Sequence, residues 1–417
     1  MGGQAPAGRI KCPARIGKAI NQLEQEAAMT LAQRMSRLGT ETAFEVLAKA
    51  KALEAQGRDI IHLHIGAPDF ATPDNIVEAG RRALADGWHK YTPARGLPQL
   101  HEAVAADIAR HRGVTIDPAH VLIVPGGKPT MFFAIMMLGE PGTEILYPNP
   151  GFPIYESVIR YSGAEAVPIR LSEAAGYSFS ADEVLAQVNE RTRLVIVNTP
   201  ANPTGGVVPR SELQRLADGL EAFPNVYVLA DEIYSRLLYD GEEHVSLLEF
   251  ENIRERVILL DGWSKTWAMT GWRLGYGVWP AELIEHAERL QINSTSCTNA
   301  AGQIAAIEAM QGPQDAVDEM RAAFDERRAI IVEELNAIPG FTCQMPKGAF
   351  YAFPNTSGTG ISSKELEERF LQEAGVACLS GASFGALGEG YMRFSYANSA
   401  ENIREGLRRV RECLQPV

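Results

Sequence analysis

A chain of 417 residues is too long for one compact core and points to two or three domains. Apolar residues make up 46% and charged residues 22%, ordinary for a globular protein, and no apolar run approaches the roughly 20 residues that span a bilayer. The formal net charge of −13, with acids spread along the chain, argues against nucleic acid or an acidic membrane surface as the main partner, though not against small anions.

Residues 1–15, rich in Gly, Ala and Pro, are expected to be disordered and to lack the apolar stretch of a secretory signal. Residues 16–37 read as a polar helix. AFEVLAKAKALEAQG (43–57) is an apolar-periodic helix ending at Gly57, and IIHLHIG (60–66) a strand stopped by Gly66 and Pro68. Seven apolar runs follow as strands: VLIV (121–124), EILY (144–147), AVPI (166–169), LVIVN (194–198), VYVLAD (226–231), VILLD (257–261) and LGYGV (274–278). Most are continuously apolar, as expected of strands buried on both faces of a mainly parallel sheet. The helices between them imply a doubly wound α/β fold, which binds ligands at the carboxyl ends of its strands. From about 310 a long charged helix leads into a smaller α+β region. Five widely spaced cysteines (Cys12, Cys297, Cys343, Cys378, Cys413) form no C-x-x-C pair, so neither a disulfide framework nor a metal site is expected, and a reducing, cytoplasmic setting is.

The residues that carry chemistry sit where these strands end. Lys265 follows one of them in GWSKTWAMTGWRLGYG, with Trp263, Trp267 and Trp272 nearby. Most lysines are solvated surface charges, but a desolvated one has a lowered pKa and becomes a nucleophile. Arg273 enters the next apolar strand and needs an anion there. Asp231 closes VYVLAD and opens DEIY; it either caps a helix or faces a cationic ligand, with Tyr234 one turn on. The rigid loop NTPANPTGG (198–206) is either punctuation or a mount for Asn202. PGGKPTMFFAIMML (125–138) is a strand-to-helix turn whose free amides suit a phosphate. The aromatics Phe152 and Tyr155 read as core packing or as a ring against a flat cofactor.

Taken together, NTPANPTG, DEIY and SK-x5-G-x-R-x-G, in that order and spacing, resemble the class I aminotransferases of pyridoxal-phosphate fold type I, in the subgroup that includes bacterial aspartate aminotransferases. The resemblance runs from about Ser36 to the C-terminus. It implies pyridoxal 5′-phosphate (PLP) held as a Schiff base on Lys265. Asp231 then pairs with the ring nitrogen, Tyr234 and Asn202 with the phenolic oxygen, and Phe152 stacks on the ring. Gly127, Lys128, Ser264 and Arg273 hold the phosphate, which Tyr91 of KYTPARG reaches from a neighbouring subunit of a homodimer. Arg393 of YMRFSYA clamps the substrate α-carboxylate, with Gly66 close by. The domains implied are an arm (1–28), a segment joining the small domain (29–73), a large PLP-binding domain (74–308) and a small C-terminal domain (309–417). The reaction implied is ping-pong transfer of an amino group between an L-amino acid and a 2-oxo acid. The rival readings are a PLP-dependent β-lyase or synthase on the same scaffold and a PLP-binding, non-enzymatic regulator. The latter needs an N-terminal DNA-binding module, for which the stretch before residue 43 is too short.

Two departures from the family pattern stand out. Gly262 replaces a phosphate-binding serine, and Phe152 replaces the tryptophan usual in aspartate enzymes. Lys128 is the family's partner for a distal carboxylate, which suggests glutamate/2-oxoglutarate as one substrate pair. An ungapped match puts Glu45 beside that distal group, where it repels a second carboxylate, pairs with Lys128, attracts a cationic or hydroxylated side chain, or turns to solvent. A broad enzyme using glutamate and a neutral amino acid is therefore expected ahead of a dedicated aspartate enzyme.

Overall fold

The computed structural model describes residues 31–415; the readings made for 1–28 lie outside them. Of the polar helix expected over 16–37, the described part holds only a 3₁₀ turn, Gln33–Arg37. Leu38–Val417 is one compact unit.

Twelve strands occur among the described residues. They are β1 Ile61–His62, β2 Val121–Val124, β3 Glu144–Asn149, β4 Glu165–Arg170, β5 Thr192–Asn198, β6 Tyr227–Asp231, β7 Val257–Gly262, β8 Gly275–Val278, β9 Tyr351–Ala352, β10 Val376–Ala377, β11 Leu379–Ser380 and β12 Met392–Ser395. The seven apolar runs of the sequence form one sheet, ordered β2-β8-β7-β6-β5-β3-β4. Pairings are parallel except those of β8 with its two neighbours.

The sheet is apolar on both faces because alternate residues of each central strand enter different cores. Val195, Val197, Val228 and Leu259 pack into one cluster, and Leu194, Ile196, Leu229 and Ile258 into another. The edge strand β4 departs from this expectation: Ile169 is buried, but Pro168 is exposed, and a proline is tolerated there because an edge strand leaves one side unpaired. The strand expected over 60–66 shrinks to β1, which pairs in parallel with β10; beyond it the backbone continues as irregular bonds, Leu63 N to Ala377 O and Ser395 N to Leu63 O. The charged helix is Asp315–Asn336, and with the short strands β9–β12 it surrounds a third core built on Phe324, Phe350 and Tyr396.

At the carboxyl ends of the parallel strands, Asn198 and Asp231 lie directly opposite each other in register. The apolar strands that precede them hold both polar side chains at a fixed depth.

Candidate active site

A cavity of about 520 Å³ opens at this edge of the sheet. All the residues to which the resemblance gives a cofactor or substrate role line it except Tyr91: Gly66, Gly127, Lys128, Phe152, Asn202, Asp231, Tyr234, Ser264, Lys265, Arg273 and Arg393. Tyr91 is 89% exposed and lies outside the cavity of its own chain.

Asp231 ends β6 and is buried. Its Oδ2 accepts a 2.5 Å hydrogen bond from the Tyr155 hydroxyl, and its Oδ1 accepts one from Ile233 N at 3.3 Å. Burial pushes its carboxyl up to about 6, against the two hydrogen bonds, while Asp261 and Glu232 push the same way as burial. No ion pair to Asp231 forms among the described residues. The segment after it is a turn (Ser235 N to Glu232 O, Leu237 N to Tyr234 O) rather than a helix, so Asp231 caps nothing. The turn still brings Tyr234 into the cavity, where its hydroxyl lies 2.8 Å from that of Tyr351.

Lys265 follows β7. Its Nζ donates to the carbonyl of Gly66 and sits 5.8 Å from the centre of the Phe350 ring. Burial lowers its pKa to about 8; Arg393, Arg273 and Lys128 add to the lowering and Glu41 opposes it. The tryptophans that drew attention to this lysine do not line the cavity. Their indole N–H groups bond elsewhere, Trp263 to Ala306 O, Trp267 to Gln314 Oε1 and Trp272 to Thr72 Oγ1. Phe350, 85 residues away in sequence, supplies the ring beneath the amine instead.

The turn Pro125–Gly127 leads from β2 into the helix Lys128–Leu138, with Pro129 in its first turn. Gly126 adopts φ +84°, and a Cβ there would strike the guanidinium of Arg273. A Cβ on Gly275 would come within 2.5 Å of the backbone of Gly126 and Gly127, so both glycines permit the close approach of β8 to this turn. Arg273 is exposed, precedes β8 rather than entering it, and takes φ +55°. Its Nη1 donates to Thr270 O at 2.9 Å, and its guanidinium lines the cavity beside the free helix amides.

Arg393, on β12, is buried. Its Nη1 donates to Asn202 Oδ1 at 3.0 Å and its Nη2 to His64 O at 2.5 Å; its Nε has no protein partner. Asn202 is held in turn by its own N–H to Asn198 Oδ1 at 2.9 Å. The guanidinium stacks 4.5 Å from Tyr351 and 4.8 Å from Phe384.

Sequence reasoning missed four residues. Asn198 stood in a quoted motif without an assigned role, Tyr155 was read only as core packing or a ring against a cofactor and not as a donor to Asp231, and Tyr351 carried no local signal. The fourth is an acid: Glu45 is exposed and does not line the cavity, whereas Glu41 does, with Oε2 2.6 Å from Lys128 Nζ. Lys128 Nζ also lies 5.2 Å from the centre of the Phe152 ring.

A mainly parallel sheet with a desolvated lysine, a buried acid and a buried arginine at its carboxyl edge is the arrangement of an α/β transferase, and the chain belongs to the class I and II aminotransferase family, whose model matches residues 58–410. It is a transaminase. It is 38% identical to the aspartate aminotransferase of Pyrococcus horikoshii over 89% of this chain and 94% of that one. The crystal structure of the aspartate aminotransferase from Rhizobium meliloti superposes with a TM-score of 0.88 at 31% identity, covering 93% of this chain and 99% of the other. The solved structure of the alanine aminotransferase from Pyrococcus furiosus does so with a TM-score of 0.85 at 30% identity, covering 92% of this chain and 99% of the other.

Proposed function

We propose that this transaminase uses pyridoxal 5′-phosphate to move an amino group between an L-amino acid and a 2-oxo acid by a ping-pong mechanism, with glutamate/2-oxoglutarate as one pair. The observation that carries the reading is the pairing, in one cavity, of a lysine amine lowered to about 8 with a buried carboxylate that lacks a cation.

The residues present fit the cofactor. Asp231, ionised above about 6 and without a cationic partner, suits a protonated ring nitrogen. The amides at the start of the helix Lys128–Leu138, with Gly127, Ser264 and Arg273, suit a phosphate. Tyr234 and Asn202 would donate to the phenolic oxygen, and Phe152 would cover a ring face. When bound, PLP supplies an electron sink for the pair left by a broken Cα–H bond.

The chain's own residues do the rest. Arg393 holds the α-carboxylate: Asn202 and His64 set its guanidinium plane by taking one N–H from each Nη, which leaves the second N–H of each for the anion. Gly66 would lie near that carboxylate, and its missing Cβ leaves room for the Tyr351 hydroxyl beside it, which a Cβ would strike. Lys265 Nζ, lowered to about 8 and so partly neutral at physiological pH, would accept the Cα proton and carry it on rather than back to Cα.

We assign the large domain to 74–308 and the small domain to 29–73 together with 309–417. The pairing of β1 with β10 supports joining the N-terminal segment to the C-terminal region. We also propose a homodimer with shared sites, which the exposure of Tyr91 outside its own cavity supports. A cytoplasmic location is proposed from the spaced cysteines, of which Cys297, Cys343, Cys378 and Cys413 are free thiols. No helix among the described residues is long and apolar enough to cross a membrane.

The test is a half-reaction screen of the twenty amino acids on the PLP-loaded protein, followed by the cofactor's absorption band. Conversion that a 2-oxo acid reverses is expected. Release of pyruvate and ammonia without an acceptor would assign the chain to the β-lyases instead.

A further inference from the structure

We propose that Glu41 is a specificity-determining residue that holds Lys128 in an ion pair and so shifts the donor range towards amino acids with uncharged side chains. The inference rests on the transaminase reading above.

The charge inventory of the cavity leads to it. Its lining carries four cations, Lys128, Lys265, Arg273 and Arg393, and two carboxylates, Glu41 and Asp231. The reading above commits Arg273 and Asp231 to the cofactor, Lys265 to the cofactor and the Cα proton, and Arg393 to the α-carboxylate, while Lys128 meets the phosphate through its backbone amide at the helix start. Lys128 is the cation left for the far end of a substrate, and it is already paired at 2.6 Å with Glu41. Glu41 sits immediately before the helix Thr42–Glu54 in extended backbone (φ −99°, ψ 106°), and Lys128 sits at the start of the opposing helix. The two helix starts therefore bring the pair together across the cavity.

A second carboxylate entering this end meets a neutral pair instead of a free ammonium. It must either displace Glu41 from Lys128 or accept the repulsion of a like charge at contact range. The side chains of Glu41 and Lys128 are 23% and 47% exposed, and ion pairs open to water to this degree are weak. The pair can therefore open: dicarboxylic donors and acceptors are admitted, but at a disadvantage. An uncharged side chain leaves the pair intact and loses nothing. This is compatible with glutamate as one substrate and with a neutral amino acid as the better donor.

The experiment measures kcat/KM of the loaded enzyme for aspartate, glutamate and alanine, and the Kd of maleate, an unreactive dicarboxylate, by calorimetry. Glu41→Gln is expected to raise the dicarboxylate-to-alanine ratio of kcat/KM about tenfold, equivalent to about 1.4 kcal/mol, and to tighten maleate by a similar factor. Adding Lys128→Met to that variant should abolish both gains. Glu45→Gln, which changes an exposed acid outside the cavity, should reproduce neither. An unchanged ratio in a Glu41→Gln enzyme that still transfers from alanine overturns the role of Glu41. An equal gain in Glu45→Gln overturns it too, since the effect would then be one of overall charge. Failure of the native enzyme to transfer from any donor overturns the underlying reading, and this inference with it.

Discussion

The Tyr155 hydroxyl donates to Asp231 Oδ2 at 2.5 Å, joining the helix Ile154–Ser162 to the end of β6 beneath the cavity. Among the described residues it and Ile233 N are the hydrogen-bond donors to that carboxylate, and both bonds oppose the rise that burial imposes on it. Tyr155→Phe removes one donor from the ionised form, so the carboxyl of Asp231 should rise further above 6. A hydrogen bond to a charged group is worth about 1.5–3 kcal/mol, or roughly one to two pKa units, so the ionised fraction of Asp231 and with it PLP affinity at pH 7 should fall roughly two- to fifteenfold. The loss should shrink as the pH is raised and Asp231 ionises again. Equilibrium titration of the apo protein across pH 6–9 checks this, and a pH 7 affinity within twofold of native would refute it.

Asp231→Asn should stabilise the cofactor-free protein at neutral pH while impairing the loaded one. The folded-state pKa lies near 6 and the ordinary carboxyl value is 3.8. The folded chain therefore binds more protons between those values, and the native protein loses stability as pH rises through that window. A difference of about two units corresponds to at most about 3 kcal/mol. The amide variant escapes this cost, so its melting temperature should exceed that of the native apo protein at pH 7 and the gain should fade by pH 4. Equal melting temperatures at pH 7 would show that Asp231 is not destabilised by burial.

Arg393→Lys should separate substrate binding from cofactor binding. A lysine cannot reach Asn202 Oδ1 and His64 O and still present a planar fork to a carboxylate. A fall in kcat/KM of about a hundredfold, or about 2.7 kcal/mol, is expected with the bound-PLP spectrum retained. A fall below fivefold would remove Arg393 from the clamp.

Tyr91 tests the proposed dimer. Subunits carrying Tyr91→Phe and subunits carrying Lys265→Ala, mixed and isolated as heterodimers, should contain one site in which neither change is present. Activity near half the native value is expected if Tyr91 crosses to the partner. Heterodimers no more active than the Lys265→Ala homodimer would exclude a shared site.

Much of the fold and site was legible in local sequence. Continuous apolar runs such as VLIV and VILLD specify strands covered on both faces, and polar residues at or just beyond the ends of such runs, Asn198, Asp231 and Ser264, fall at the carboxyl edge whatever the strand order. The turn at Gly126–Gly127 and the helix that follows were equally readable, because proline and glycine act on their own backbone. What sequence alone could not supply were contacts between distant segments. Arg393 bonds to the carbonyl of His64 across 329 positions, Tyr155 reaches Asp231 across 76, and Phe350 lies beneath Lys265 in place of the adjacent tryptophans. The acid that faces Lys128 is decided by the direction in which one backbone residue leaves the start of a helix. Glu41, extended before the first turn, points into the cavity, whereas Glu45, within it, is turned to water. Periodicity describes which face of a helix is apolar; which polar residue meets a partner 87 positions away depends on how two helix starts are packed, and that is a property of the folded chain.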